Sequence, residues 1–512
     1  EPIPYSLLLP LYAKTEIGET LVAQIQVTGI GTPRIFVPST NYLSLPIVPL
    51  GIKAESEIEI HNIGRIPLEL DAKLAINETQ FPILINFPQG KKMNFNTLSL
   101  PLHISFTSTK PISFSTVVLI VDKKGNNCAF TILITTDNSI FTLYNFLTLN
   151  QYTISSEIGK PIMLKLQEVI NQNDVLSQFL SISDFSQTKP TSSTLTNDFV
   201  QFIIRFLNEC VLTNPIENFP QDFIEHGNSI IAEIIKNLTG KNPPNELTNA
   251  NNNSLKRNKK LIHFLMSQGA LLANVKPEFL VSQSEFMEIM KEKITLQILG
   301  IDYYGAPPIS SFQQKDIDLF MNSQIFNTKL LEMLQNADSF YHSLSLESWT
   351  IIVLQIIKLY MFGKLLDNDK FRQIPGVKDS LEAIHLLKNE ETFNDINKNN
   401  YSLSNSNVYS PAESLLLKWA SIHYINVNRN QNTPIINYSS FSNSQILLSI
   451  VQSHMTQEKI DLNGGFFELI KRLQSIQIDF VNDTDLLKPN PIVYAITIQQ
   501  MMKYLPHYLP SS

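Results

Sequence analysis

The chain has 512 residues, of which 43% are hydrophobic and 17% charged, and its formal net charge is −7. That length exceeds a single hydrophobic core and predicts three or four domains. The acidic balance argues against a nucleic-acid partner, and no apolar run reaches the ~18 residues of a membrane-crossing helix. Asn, Ser, Thr and Ile fill the place of the missing charges, which usually make up about 25% of residues. The two cysteines, Cys128 and Cys210, fall in different expected domains and read as free thiols of a reducing compartment. Starting at Glu1 without a basic-then-apolar leader, the chain reads as an excerpt of a longer protein.

Alternation opens the chain. Leu21–Val27 switches between apolar and polar residues, and Gly29-Ile-Gly-Thr-Pro33 then breaks it. Residues 1–37 are therefore expected to be the closing strands of a preceding sandwich module. A second module follows at 38–146, from Leu45-Pro-Ile-Val-Pro-Leu-Gly-Ile52 to the segment ending at Phe146. Glu57–Asn62, Leu102–Phe106 and Phe130–Thr135 each alternate with period two, so one row of side chains faces a core and the other water. Turn residues at Asn62-Ile-Gly64, Pro88-Gln-Gly90, Lys110-Pro111 and Lys124-Gly-Asn126 separate them, as an antiparallel sandwich requires. Pro46, Pro49 and Pro67 would guard against stray pairing if they lie on its edges.

Residues 147–196 are polar and read as a linker, with one helix expected at Pro161–Leu176. From Asn197 to residue 400 the period becomes helical. Phe199, Phe202, Ile203, Phe206 and Leu207 share a face, as do Ile230, Ile231, Ile234, Ile235 and Leu238, and Gly240 ends the second run. Further helices are predicted at Leu261–Leu272, Ser284–Leu299, Asp316–Gln335 and Ser345–Phe362. Lys358 interrupts the apolar run Ile351–Tyr360. A polar stretch, Asn394–Asn407, precedes a last helical unit at 408–510, with helices at Ala412–Ile425, Asn443–His454, Gly465–Ile476 and Pro491–Tyr504. Trp349 and Trp419 sit in apolar helical stripes and are expected to anchor cores.

Catalytic signatures fail in turn. Gly240-Lys241 lacks the first glycine of a phosphate-binding loop, because Ile235 holds that place. The histidines and cysteines form neither His-Glu-x-x-His nor Cys-x-x-Cys, so no metal ligand set is expected. No Gly-x-Ser-x-Gly elbow occurs, and Asp316 and Asp318 point to different helix faces. The expectation is a protein without catalytic residues, cofactor or metal. The one dense basic run is Lys256, Arg257, Lys259 and Lys260. It reads first as the solvated end of a loop leading into a helix, and second as a docking point for an acidic surface.

Module 38–146 resembles the ASH (Hydin-type) immunoglobulin-like domain through Ile60-His-Asn-Ile-Gly64 and Pro101-Leu-His-Ile-Ser-Phe106 followed by Lys110-Pro111. The unit 408–510 resembles a divergent calponin-homology domain. Leu415-Leu-Leu-Lys-Trp419 matches its first helix, Ile435–Phe441 before Gln445–Leu448 its second helix entry, and Asp485–Pro491 the loop before its last helix. It departs from that pattern at Asn443-Ser444, where a Phe-x-Asp-Gly turn is usual. Residues 197–400 read either as another divergent unit of that kind or as an unrelated bundle. The order of parts resembles the cilia- and flagella-associated protein 47 family, with Leu45–Ile52, Thr136-Asp-Asn-Ser139, Ser267–Leu272, Trp349-Thr350 and Gln355–Tyr360 carrying the likeness. That resemblance implies a non-enzymatic scaffold of the ciliary axoneme and its central apparatus, needed for beating. The implied partners are other axonemal proteins in a large assembly, with tubulin a further candidate, and neither nucleic acid nor membrane. The alternative is a cytoskeletal adaptor that binds actin or microtubules through 408–510.

Overall fold

The structure is a computed structural model and describes residues 3–15, 18–31, 35–40, 42–51, 53–75, 82–143, 197–244, 253–298, 324–367, 409–428, 438–455, 459–487 and 490–505. Strands β1 (Ile3–Thr15) and β2 (Gly18–Gly31) form an antiparallel hairpin that no other described strand joins. The alternating residues Leu21–Val27 lie in β2.

A sandwich follows, built from β3 (Phe36–Pro38), β4 (Tyr42–Ser44), β5 (Ala54–Asn62), β6 (Leu68–Leu74), β7 (Ile83–Asn86), β8 (Lys92–Met93), β9 (Ser99–Phe106), β10 (Ile112–Asp122) and β11 (Asn127–Thr136). One sheet has the order β4-β11-β10-β6-β8 and the other β3-β5-β9-β7. The period-two pattern sets the faces. On β5, Ala54, Ile58 and Ile60 are buried while Glu57 and Glu59 are exposed. Leu100, Leu102, Ile104 and Phe106 of β9 and Val118, Ile120, Phe130, Ile132 and Ile134 of the other sheet belong to the same core. Each such side chain removed from water stabilises the fold by about 1.5–3 kcal/mol.

The Asn62-Ile-Gly64 turn has a specific physical basis. Asn62 is buried, and its amide donates to the carbonyls of Ile66 (2.9 Å) and Thr97 (3.4 Å), tying two turns together. A Cβ on Gly64 would lie 2.7 Å from Ile35 Cγ2, so no larger residue fits without a shift.

All four edge strands are short: three residues in β3, three in β4, four in β7 and two in β8. Pro46 and Pro49 follow edge strand β4, but Pro67 precedes β6, an interior strand, and so guards no edge.

The helical half contains α1 (Asn197–Cys210), α2 (Gln221–Thr239), α3 (Ser254–Ser267), α4 (Gln283–Ile298), α5 (Gln324–Ile356), α6 (Gly363–Asp367), α7 (Pro411–Val427), α8 (Ser444–His454), α9 (Gly465–Ser475), α10 (Asp483–Leu487) and α11 (Pro491–Tyr504). A π turn, Ile357–Phe362, joins α5 to α6. Two helices differ from the sequence reading. Helix α3 begins seven residues before the predicted Leu261, because Asn253 caps it by accepting from Lys256 N (2.9 Å) and its first turns are polar. It ends at Ser267, before Gly269 with its positive φ, and not at the predicted Leu272. The helices predicted to end at Gln335 and restart at Ser345 are one, since 336–344 contains neither proline nor glycine and buries Ala337, Phe340, Tyr341 and Leu344 on one face. The polar linker 147–196 with its helix at Pro161–Leu176, the run Asn394–Asn407 and the start of the helix predicted from Asp316 lie outside the described residues.

Within Leu330–Leu365 an 18-residue window reaches a mean hydropathy of 1.3, enough for a membrane span by composition, yet 72% of that window is buried inside the fold. Trp349 explains part of this. It is 1% exposed, meets Phe223 of α2 with ring centroids 5.4 Å apart, and sits over Gly227. A Cβ on Gly227 would lie 2.5 Å from Trp349 Cη2. Gly227→Ala should therefore cost about 1–3 kcal/mol through overpacking. In thermal melts that loss should shrink in a Trp349→Phe background, where the opposing ring atoms are gone.

Candidate functional site

After β11 the chain makes a tight turn, Asp137-Asn-Ser-Ile-Phe-Thr-Leu143, in which Leu143 N donates to Ser139 O (2.9 Å). The segment is polar but buried: Asp137 is 2% exposed, Ser139 0% and Thr142 6%. Polar groups out of water must find partners or cost stability. Asn138 meets this need within the sandwich, accepting from Leu50 N (2.9 Å). The others turn to the helices.

Asp137 and Thr142 meet the end of α5 and the π turn. Lys358 Nζ donates to Asp137 Oδ2 (2.5 Å), which also accepts from Thr142 Oγ1 (2.5 Å). Gln355 Nε2 donates to Thr142 Oγ1 (3.0 Å), and its Oε1 accepts from Leu271 N (3.1 Å). Phe141 packs on Phe362 with ring centroids 4.6 Å apart. Gln355, Lys358 and Phe362 thus bring one helix face to the sandwich turn. The loop after α3 covers the neighbouring strands. Ala273 N donates to Ser113 Oγ (3.0 Å), and Lys276 Nζ lies 3.5 Å from the centre of the Tyr42 ring. Burial lowers the Lys276 ammonium to about 7, with Glu278 opposing that shift and Lys293 adding to it.

Ser139 and Ile140 meet α7. Ser410 and Glu413 form a capping box at the start of that helix. Glu413 Oε2 accepts from Ser410 N (2.9 Å) and from Ile140 N (3.2 Å), while Oε1 accepts from Ser139 Oγ (2.6 Å). One carboxylate therefore caps its helix and also holds the sandwich turn. Glu413 is fully buried, and burial pushes its carboxyl up to about 7 against the three hydrogen bonds that favour the ion. Tyr438, also buried, donates through its hydroxyl to Glu413 O (2.8 Å).

A third joint links α1 to the terminal unit. Arg205 Nη2 contacts both Asp485 oxygens (2.8 and 2.6 Å), and its Nε donates to Phe480 O (3.0 Å). Phe202 and Phe206 flank Phe480, with centroids 5.6 and 5.4 Å away. Helix α1 is in turn held to α2 by Asn237 Nδ2, which donates to Val211 O (2.7 Å).

Lys358 neutralises Asp137 and Arg205 neutralises Asp485 across unit boundaries, while Glu413 is met there by hydrogen bonds alone, and the chemistry is that of a lock. The predicted docking residues lie elsewhere. Lys256, Arg257, Lys259 and Lys260 occupy the first two turns of α3, not a loop end. Lys256, Lys259 and Lys260 are exposed and Arg257 is half-buried. None of the four side chains makes a hydrogen bond or ion pair among the described residues. Cations at a helix N-terminus oppose its dipole, so the helix itself gains nothing from them. Among the described residues, no group of three or more His, Cys, Asp or Glu could hold a metal ion. Asp137, Ser139, Gln355, Lys358 and Asp485 fall in sequence segments that carry the resemblances, whereas Arg205 and Glu413 do not. Nothing local pairs any of them across units, although the Ser410-Pro-Ala-Glu413 spacing and the lysine inside an apolar run were visible signals.

The comparisons with known proteins concern both halves. The model of the cilia- and flagella-associated protein 47 domain matches residues 184–365, which include α1, α5 and the π turn. Human cilia- and flagella-associated protein 47 is 23% identical over 340 residues, 58% of this chain and 9% of that protein. The chain thus spans about a tenth of that relative's length. Among solved structures, an ASH/PapD-like domain of human CEP192 is 13% identical, with a TM-score of 0.16, over 23% of this chain and 96% of that one. The BIgI domain of the beta protein from S. agalactiae, solved bound to CEACAM1, is 15% identical, with a TM-score of 0.15, over 20% of this chain and 94% of that one. The sandwich assignment rests on the strand order and burial described above.

Ionisation of Glu413 gives a testable pH dependence. Its proton is held more tightly in the fold (about 7) than in the unfolded chain (4.5). Its contribution to stability is therefore complete below pH 4.5 and is lost as pH rises toward 7. Glu413→Gln keeps an acceptor for both backbone amides and donates to Ser139 Oγ, as the protonated acid can. The variant should match the parent near pH 4.5 and exceed it by on the order of 3 kcal/mol above pH 7, read from denaturant melts across that window. A gap that stays constant with pH would assign the buried proton elsewhere. Glu413→Ala, which orphans the Ile140 and Ser410 amides, should cost about 1–3 kcal/mol for each.

Proposed function

Because the cilia- and flagella-associated protein 47 domain model matches residues 184–365 and the human protein of that name is 23% identical over 340 residues, we propose that the chain is a non-enzymatic structural scaffold of the motile-cilium axoneme, working in the central apparatus as a spacer and protein dock needed for beating. The observation that carries this reading is the junction. Its buried charges couple the sandwich, the helical bundle and the terminal unit, so the chain presents its outer surfaces at fixed positions. The partners on this reading are other axonemal proteins, gathered through many moderate contacts.

The alternative is an adaptor whose calponin-homology-like terminal unit binds actin or microtubules directly. Two features of that unit weigh toward the scaffold. Glu413 at its first helix and Asp485 before its last both turn inward to the rest of the chain. A tagged chain expressed in motile ciliated cells should remain on the axoneme after detergent extraction. Release into the soluble fraction would overturn the scaffold reading.

The basic quartet on α3 supplies a second element. Its lysines are exposed in a chain whose net charge is −7, which suits an acidic protein surface such as tubulin tails. Co-sedimentation of the whole chain with microtubules should weaken as salt rises, because exposed charges are screened over about 8–10 Å at physiological ionic strength. Replacing Lys256, Arg257, Lys259 and Lys260 together by glutamate should abolish it. Unchanged pelleting would remove the quartet from the docking surface.

A further inference from the structure

Three units meet at three separate joints. Sandwich and bundle are joined by Asp137–Lys358 (2.5 Å) and Phe141–Phe362. Bundle and terminal unit are joined by Arg205–Asp485 (2.6 Å) and the phenylalanines around Phe480. Terminal unit and sandwich are joined by Glu413 on Ser139 and Ile140. Every unit touches both others, each time through at least one charged group whose carboxylate is largely out of water: the side chains of Asp137 and Asp485 are each 4% exposed, and Glu413 is 0% exposed.

We propose that these joints close a ring, so that no single joint can open unless a second opens with it. The device needs no ligand and rests on the order of connections. If the terminal unit is to leave the sandwich turn, it must carry the bundle away or part from it. Opening the Glu413 joint therefore costs that joint plus the weaker of the other two. Deleting either of those two removes the added cost, and deleting both removes nothing more. Independent joints behave otherwise, because sites without shared partners act additively.

The amide of Ile140 reports on the ring directly. It is fully buried and donates to Glu413 Oε2, so its hydrogen exchanges when that joint opens. Arg205 is the distant lever, since among the described residues its hydrogen bonds go to Phe480 and Asp485. In the full chain, Arg205→Met should speed exchange at Ile140 by about tenfold, a sub-global opening made easier. Asp485→Asn, which keeps the side-chain shape, should do the same to a smaller extent. Lys358→Met should also speed exchange, and the Arg205→Met/Lys358→Met pair should be no faster than the faster single variant. The amide of Ile120, in the middle of β10, should keep its parental rate. An unchanged Ile140 rate in both Arg205→Met and Asp485→Asn overturns the ring. So does a double variant whose acceleration equals the product of the singles, or an equal rise at Ile120, which would report a loosened sandwich instead.

Discussion

A buried polar turn is the constraint on which the rest of this molecule depends. Residues 137–143 leave the last strand carrying a carboxylate, two hydroxyls and an Ile140 amide whose acceptor lies outside the turn, and they leave it inward. Solvent does not reach them, so other parts of the chain must supply the donors and acceptors. That requirement explains a lysine and a glutamine on an apolar helix face, and a glutamate in the first turn of α7 that caps one helix and holds another unit. Taking these groups from water is expensive, and their pairing is stabilising only in one geometry. The junction thus fixes where the units sit more than it adds to their stability.

Much of the architecture was legible from local pattern. The alternation of β5, with three glutamates outward and Ala54, Ile58 and Ile60 inward, follows from period two alone. The Asn62-Ile-Gly64 turn was visible as a motif, and its reason emerges from the amide of Asn62 and the crowding of Gly64 by Ile35. Trp349 and Trp419 are core residues, at 1% and 2% exposure, as their apolar stripes imply. The junction was less legible because its pairs are far apart in sequence: Ser139 and Glu413 are separated by 274 residues. A Ser-x-x-Glu spacing announces a helix cap but not the second task of the same carboxylate. Lys358 stood out as an interruption, yet nothing local named Asp137 as its partner. The joining of the two predicted helices into α5 shows the reverse case. A polar stretch read as a break stayed helical, because four buried side chains at helical spacing outweighed its composition.

The family match over residues 184–365 and the geometry of the junction support the same reading. A segment that matches a cilia- and flagella-associated domain includes the helix that grips the sandwich and the arginine that grips the terminal unit. On the scaffold reading, the chemistry lies in how parts are held. The sandwich contributes a stiff core, the bundle a long central helix, and the terminal unit completes the attachment.

The stubby margins of the sandwich carry a consequence for crowding. Two to four residues per margin leave too few free main-chain groups for a neighbouring sheet to zip onto. Sandwiches of neighbouring copies would then lie side by side without joining their sheets through these margins, whereas the β1–β2 hairpin, which no other described strand joins, keeps margins of 13 and 14 residues.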